Sequence, residues 1–516
     1  MTSSLHTIRK QTLQFQYNGN VDGFALQKEV GDWCNFNLIP EIEQQLDLLD
    51  LDDNYLTIDK LEIEATASNS DWQQKIRDEL IFSLKRKLSS FETKFAEKDS
   101  NKTVNRTRKL DELILYYFEN GYLPWWGNVL ITDNFETVLQ SWIRNEMSQT
   151  RADFIRRELK QIVSKPLLDR IINQVPQELF FQFLKNIYKQ EPEIVGHTEL
   201  FFKELIVGNT PPSRQKAITN AFYSFLLIMM IENEGNIDTG LVAQFVYEEL
   251  KKTKSSSLLL QPASERVDQS ADPVKSAWQQ LLFQELKKQE SKYKKQPLPE
   301  EKTITPPEIS PEEKDLDEIT PKEKRFQYNK IIDKLTNPDF VKKSQVDRAA
   351  ELQEGIYIDN AGAVIFAAFI PGLFKQLELE KDGTIKNPDL AAMIIQYCVT
   401  GNATIAEFEL VLPKILCGLA IEFPVNTNTR ITADHMKEVD EMLQSLIEYW
   451  SALKNTSIDG LRESFFKRNG KLCLMKSEWL LQVEQRPFDM LLQQLPWSMS
   501  MIKFPWMKNL LRTEWV

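Results

Sequence analysis

The sequence predicts an α+β chain that is mainly α, with a small N-terminal α/β unit, a helical middle, a long Pro/charge-rich linker and a helical C-terminal domain ending in short strands. Three observations predict this class. Apolar residues recur at three- and four-residue spacing over most of the chain, and strict alternation is confined to short runs near its two ends. Between them lies a stretch dense in Pro, Lys and Glu with almost no large apolar residue. At 516 residues the chain exceeds one ordinary core, and 42% hydrophobic with 10% aromatic content supports packed parts. The expected divisions are 1–107, 108–250, 251–325 and 326–516.

In the first division, TLQFQY places Leu13, Phe15 and Tyr17 on one face, as in a half-buried strand. A helix is expected over about Phe24 to Leu46. YLTIDKLEIEA then alternates again, with Leu61 and Ile63 on one face and Glu62 and Glu64 on the other. Asp71 is placed to cap a helix whose stripe runs Trp72, Ile76, Leu80, Leu84, Leu88, Phe91 and Phe95.

From Arg108 to about Met230 the pattern is helical, cut into short pieces by Pro124, Pro166, Pro176 and Pro192. The most apolar runs, Ala221 to Ile231 and Ala361 to Phe374, are shorter than the roughly 20 residues that span a bilayer, and read as buried helices. Residues 251–325 are the linker, with an amphipathic patch of Trp278, Leu281, Leu282 and Leu286 as a short docking helix. The last division opens with GIYIDNAGAVIFAAFIPGLF and closes with KLCLMKSEWLLQVE, a hairpin with Trp479, Leu481 and Val483 on one side.

No chemistry-bearing constellation emerges. His6, His197 and His435 are scattered, none beside a cysteine, so zinc and other metals are not expected. Cys34, Cys398, Cys417 and Cys473 show no metal-ligand or redox spacing and fit a reducing compartment. Cys417, in the apolar run LPKILCGLA, reads as a buried structural thiol. LDLLDLDDNYL lacks the glycine and terminal glutamate of a calcium loop. Phosphate-loop, GxSxG and GxGxxG patterns are absent, so neither a catalytic residue nor a cofactor is expected. A net charge of −12 argues against general nucleic-acid binding, and the N-terminus lacks the apolar core of a signal peptide.

What stands out instead are rigid aromatic corners. Pro124, Trp125 and Trp126 form one; Pro496-Trp497 and Pro505-Trp506 form two more, with Met499, Met501 and Lys503 alternating between them as an expected strand at a sheet margin. Asp459 is expected to cap a helix starting at Gly460. That puts Arg462 in its first turn, against the dipole, and calls for a compensating carboxylate, either internal (Asp489, for example) or from a partner.

Several phrases together resemble the contractile injection system tape measure protein family of phage-tail-like bacterial particles. They are IDKLEIE, LPWW at Leu123 to Trp126, IYIDNAGAVIF at Ile356 to Phe366 (with Asn360 and Gly362), LPKILCGL, LKNTSIDGLRESFFKRNGKL and LPWSMSMIKFPWM. The resemblance covers Leu5 to Ala65, the region around Trp125 and most of Phe326 to Val516. It implies a non-enzymatic assembly protein that helps set inner-tube length. The implied partners are tube, baseplate-hub or cap subunits, with no nucleic acid and no stable membrane insertion. The implied location is the bacterial cytoplasm during assembly, or the tube lumen.

Two readings of that role stay open, a ruler and a compact chaperone or adaptor at baseplate or cap, with an enzyme carried as cargo a weaker third. Helix reach bears on the choice. The proline-free interval Pro40 to Pro124 gives at most roughly 125 Å of helix. Under either reading Trp497 and Trp506 close the C-terminal core, or at least one stays exposed as an anchor for a tube or baseplate subunit.

Overall fold

In the computed structural model, residues 22–47, 71–96, 103–187, 211–252 and 345–515 are described almost throughout. Short pieces stand between them (12, 14, 16, 54–56, 62, 197–198, 202–203, 284, 287–288 and 328–332), and 132–133, 234–235, 188–196 and 454 are left out. The expected strand at Leu13 to Tyr17, the Leu61 and Ile63 face, the acidic turn before Asp53 and the Trp278 to Leu286 patch lie outside the described residues, as does nearly all of the expected linker. The chain divides into two compact units. One holds residues 1–116 and 123–134, the other 117–122 and 135–516.

The first unit contains α1 (Gly23–Trp33), α2 (Ile39–Asp47), β1 (Asn54–Leu56), α3 (Trp72–Ala96), β2 (Thr103–Asn105) and the start of α4 (Arg106–Asn120). Asp22 caps α1 through bonds from the Phe24 and Ala25 amides. The single helix expected over 24–46 is helical throughout, but Cys34–Leu38 widens into a π turn just before Pro40. A wider turn relieves the clash that a proline ring makes with the carbonyl four residues back. The α3 stripe packs as its spacing demands: Trp72, Ile76 and Leu80 lie on a core of Val30, Trp33, Cys34 and Leu38, with Trp33 and Trp72 edge to face at 5.1 Å. β1, the beginning of YLTIDKLEIEA, pairs antiparallel with β2.

The second unit begins with short helices: α5 (Phe135–Arg144), α6 (Gln149–Ile162), α7 (Lys165–Gln174), α8 (Gln177–Ile187), α9 (Pro212–Glu232) and α10 (Thr239–Lys252). Prolines stand where their missing amide does no harm, Pro166 in the first turn of α7 and Pro212 in that of α9. The apolar run in α9 is buried on all sides; Tyr223 stacks on Phe180 at 4.9 Å and Phe225 on Phe245 at 4.5 Å.

After α11 (Gln345–Glu354) come β3 (Ile356–Ile358), a nine-residue 3₁₀ helix over Ala361–Phe369 and α12 (Ile370–Gln376), with Pro371 in its first turn. The small hairpin β4 (Glu380–Lys381) and β5 (Thr384–Ile385) precedes α13 (Pro388–Thr400), α14 (Val411–Leu416), α15 (Ala433–Tyr449) and α16 (Ile458–Leu461). Four further strands follow: β6 (Gly470–Met475), β7 (Glu478–Val483), β8 (Met501–Ile502) and β9 (Leu510–Trp515).

The five-stranded sheet has the order β3-β6-β7-β9-β8, antiparallel except for the parallel pair β7–β9. The expected hairpin is β6–β7, in register Leu472 to Leu481. Trp479, Leu481 and Val483 are buried, and so is Leu480 on the opposite face, because β7 is an inner strand covered on both sides. The strand expected between the two Pro-Trp pairs shrinks to Met501–Ile502 and does sit at the sheet edge.

Candidate functional site

The most distinctive arrangement is a buried charge centre. Glu407, Lys414 and Arg170 are all fully buried. Arg170 of α7 donates from Nε to both Glu407 oxygens at 3.1 Å, and Lys414 Nζ reaches Oε1 at 2.8 Å. Further donors of both cations reach backbone carbonyls. Arg170 also bonds the carbonyls of Phe118, Glu119 and Glu422, and Lys414 that of Ile421.

Gln174, one turn along α7, donates to Glu407 and to the Val425 carbonyl, and Asn428 donates to the Asn173 carbonyl. Gly121 of GYLPWW closes the site. Its φ is +77°, and an added Cβ would sit 2.6 Å from the Arg170 guanidinium. Burial lowers the Lys414 pKa, opposed by the Glu407 charge and reinforced by Arg170. Each charged group in this cluster is bonded to others of the same chain, so it joins segment to segment rather than facing a substrate.

A second cluster joins the phrases that stood out in the sequence. The Ala361 amide donates to the Arg468 carbonyl at 2.9 Å, and Asn360 forms a bridge with Arg468. Asn360 is buried and donates to Gln396 Oε1 and to the Glu409 carbonyl, both at 2.7 Å. Gly362 lies against the π turn Arg462–Phe466: a Cβ there would collide with the Phe465 carbonyl oxygen and stand 2.6 Å from Phe466 Cα.

Three expectations around Arg462 are corrected, the first being its place: it follows Leu461 at the C-terminal end of α16 and opens the π turn, so it does not lie in a first turn against the dipole. Ser457, not Asp459, caps the helix, accepting the Gly460 amide at 3.0 Å, because its side chain stands one turn before that amide. Asp459 instead pairs with Arg462 at 3.2 Å, joined by Asp440 at 3.4 Å, and Arg462 Nε donates to the Cys398 carbonyl. The compensation is internal, but Asp489 is not its source; Asp489 forms a bidentate pair with Arg468, the fully buried arginine nearby.

The Pro-Trp corners divide by role. Trp506 donates its indole N–H to the Leu416 carbonyl at 2.8 Å and packs against Phe374 and Phe504, while Gly418 admits the Trp506 backbone. Trp497 donates to the Ile365 carbonyl at 2.7 Å. Both rings are half-buried, and Pro496 and Pro505 are exposed. In the first unit Pro124 is buried, Trp125 and Trp126 are half-buried, and the Lys109 ammonium lies 4.1 Å from the Trp126 ring centre.

Sequence reasoning missed Arg170, Glu407, Lys414 and Gly121. A lone Arg in one helix and a Glu hundreds of residues later carry no spacing signal; only Lys414, polar within the apolar run VLPKILCGL, breaks its own pattern.

The titrating groups favour structure over catalysis. Burial pushes the Cys398 thiol up to about 12, and the Cys417 thiol higher still, so neither is a ready nucleophile. Burial likewise moves Glu409 from 4.5 up to about 7, helped by the Asp359 charge and opposed by the Ala406 amide, which its carboxylate accepts. The folded value lies above the unfolded one, so this contribution to stability is complete below about pH 4.5 and is lost as pH rises toward 7. The urea midpoint should fall across that window by the equivalent of up to about 3 kcal/mol, and Glu409→Gln should flatten the fall. A wild-type profile without it would refute the assignment.

The sequence model of one family, described as contractile injection system tape measure protein, matches residues 5–515. The chain belongs to that family. Comparison with curated proteins and with solved structures gave no match. As a tape measure family member the chain is a non-enzymatic assembly protein of a phage-tail-like injection particle, working with other components of that particle. Among the described residues no helix is long and apolar enough to cross a membrane, and no group of three or more His, Cys, Asp or Glu could hold a metal ion.

Proposed function

We propose that this tape measure protein acts in the bacterial cytoplasm during particle assembly, contacting inner-tube, baseplate-hub or cap subunits, and helps set tube length from a largely folded state. The observation that carries the folded state is the Arg170–Glu407–Lys414 centre, which ties residues 118–119, 170–174 and 407–428 into one body. Extending the whole chain along a tube would strand those charges in the process. In this reading the proline- and charge-rich stretch within 251–325 is the length-bearing part.

The compact adaptor remains the second reading, favoured by the short reach of the helices. Among the described residues the longest, α3, has 25 residues and spans about 38 Å. An insertion series separates the two. Duplicating residues 296–324 and imaging the particles should give tubes whose length rises with the inserted length. Unchanged tube length across the series would sink the ruler and leave the adaptor.

A further inference from the structure

Near the end of α15 the second unit carries an aromatic surface that the internal packing leaves open. Tyr449 is 70% exposed and Met490 67%. The Phe369 ring lies 6.4 Å from Tyr449 and meets Trp497 edge on at 5.0 Å. The Trp450 indole donates to the Leu491 carbonyl at 3.2 Å, bringing the Met490 turn beside the end of α15. Trp497 is held by its bond to Ile365, so it stands rigid, and rigid aromatic side chains lose little entropy on binding. Trp506, by contrast, is locked between Leu416, Phe374 and Phe504 and takes no part.

The flank of this surface is acidic. Along α15 stand Asp434, Glu438, Asp440, Glu441 and Glu448, five carboxylates against the single Lys437. Lys437 pairs with Glu441, Arg462 engages Asp440 and Gln376 donates to Glu438, while Asp434 and Glu448 stay exposed, Glu448 immediately before Tyr449. An apolar platform beside unbalanced negative charge selects a partner by charge as well as by area.

We infer that the Phe369, Tyr449, Met490 and Trp497 surface docks a protein face that combines large apolar side chains with lysine or arginine. The inference rests on the assembly reading only in taking the occupant to be a protein. A partly buried Trp at its centre supplies the anchor, and α15 steers the approach.

The test uses the full chain and two synthetic amphipathic helical peptides, one with leucine on one face and lysine on the other, its twin with glutamate for lysine. Fluorescence anisotropy should show the lysine peptide binding about tenfold tighter than the glutamate twin, a preference that shrinks as salt is raised. The double variant Tyr449→Ala with Met490→Ala should weaken lysine-peptide binding by about tenfold at an unchanged melting temperature, since both side chains are exposed. Equal binding of the two peptides, or binding that ignores the double variant, overturns the proposal. Because no particle enters this assay, its failure leaves the insertion series standing, and a flat insertion series leaves the peptide result standing.

Discussion

Glu407→Gln should destabilise the second unit by about 3–5 kcal/mol in urea denaturation, the largest single-residue effect expected anywhere in the chain. The substitution keeps the shape of the side chain and removes the one carboxylate that Arg170 and Lys414 share, leaving two fully buried cations without a counter-charge. Lys414→Met should be milder, because the Arg170–Glu407 pair survives it and a methionine fills the space.

The pH dependence gives an independent check. Burial already lowers the Lys414 pKa from its usual 10.5, and Glu407 is the leading opposing influence. In the glutamine variant the amine should lose its proton more readily. A base whose folded pKa lies below its unfolded value gains stability as pH rises between the two, so the deficit of the variant should shrink at alkaline pH. A deficit within about 0.5 kcal/mol of zero, flat in pH, would mean the cluster does not hold the unit together.

Gly362→Ala should be nearly as damaging, for a different reason. Here the obstacle is backbone: the new methyl would strike the Phe465 carbonyl oxygen and Phe466 Cα, neither of which can swing aside as a side chain can. The 3₁₀ helix would have to move off the π turn, disturbing the Ala361–Arg468 hydrogen bond and the edge-on contact of Phe366 with Phe466 at 5.0 Å. Overpacking of this kind should exceed about 3 kcal/mol and appear as a lowered melting temperature or loss of soluble protein. An unchanged melting temperature would show that the two elements are less tightly apposed. Gly372 in the same run, with nothing within 4 Å of an added Cβ, is the matched control.

Periodicity and proline placement made much of this architecture legible. The α3 stripe from Trp72 to Leu84, the helix break at Pro166 and the β6–β7 hairpin all follow from local spacing. Local spacing also explains the errors. Asp459 is as good a cap as Ser457 by residue type, and only the position of the first free amide decides between them. Ala361–Phe369 is 3₁₀ where periodicity suggested only a buried helix, and its Gly362 lies against Phe465, a contact made about a hundred residues away in sequence. Trp497 and Trp506, alike in their Pro-Trp setting, differ only in what surrounds them in three dimensions. The charge centre was the least legible feature, since its members come from three separate stretches that meet only in the folded chain, and only Lys414 stands out against its own local pattern.

The sequence distance across that centre, 237 residues between Arg170 and Glu407, has a consequence for how the protein tolerates change. Closing a chain loop loses entropy only as the logarithm of its length, so doubling the intervening stretch should weaken closure by about 0.6 kcal/mol. A residue pair buried this well opposes so small a penalty easily. Homologous chains could therefore gain or lose long insertions between α10 and α11 while the two flanking segments keep the same handshake, without a new fold having to be found.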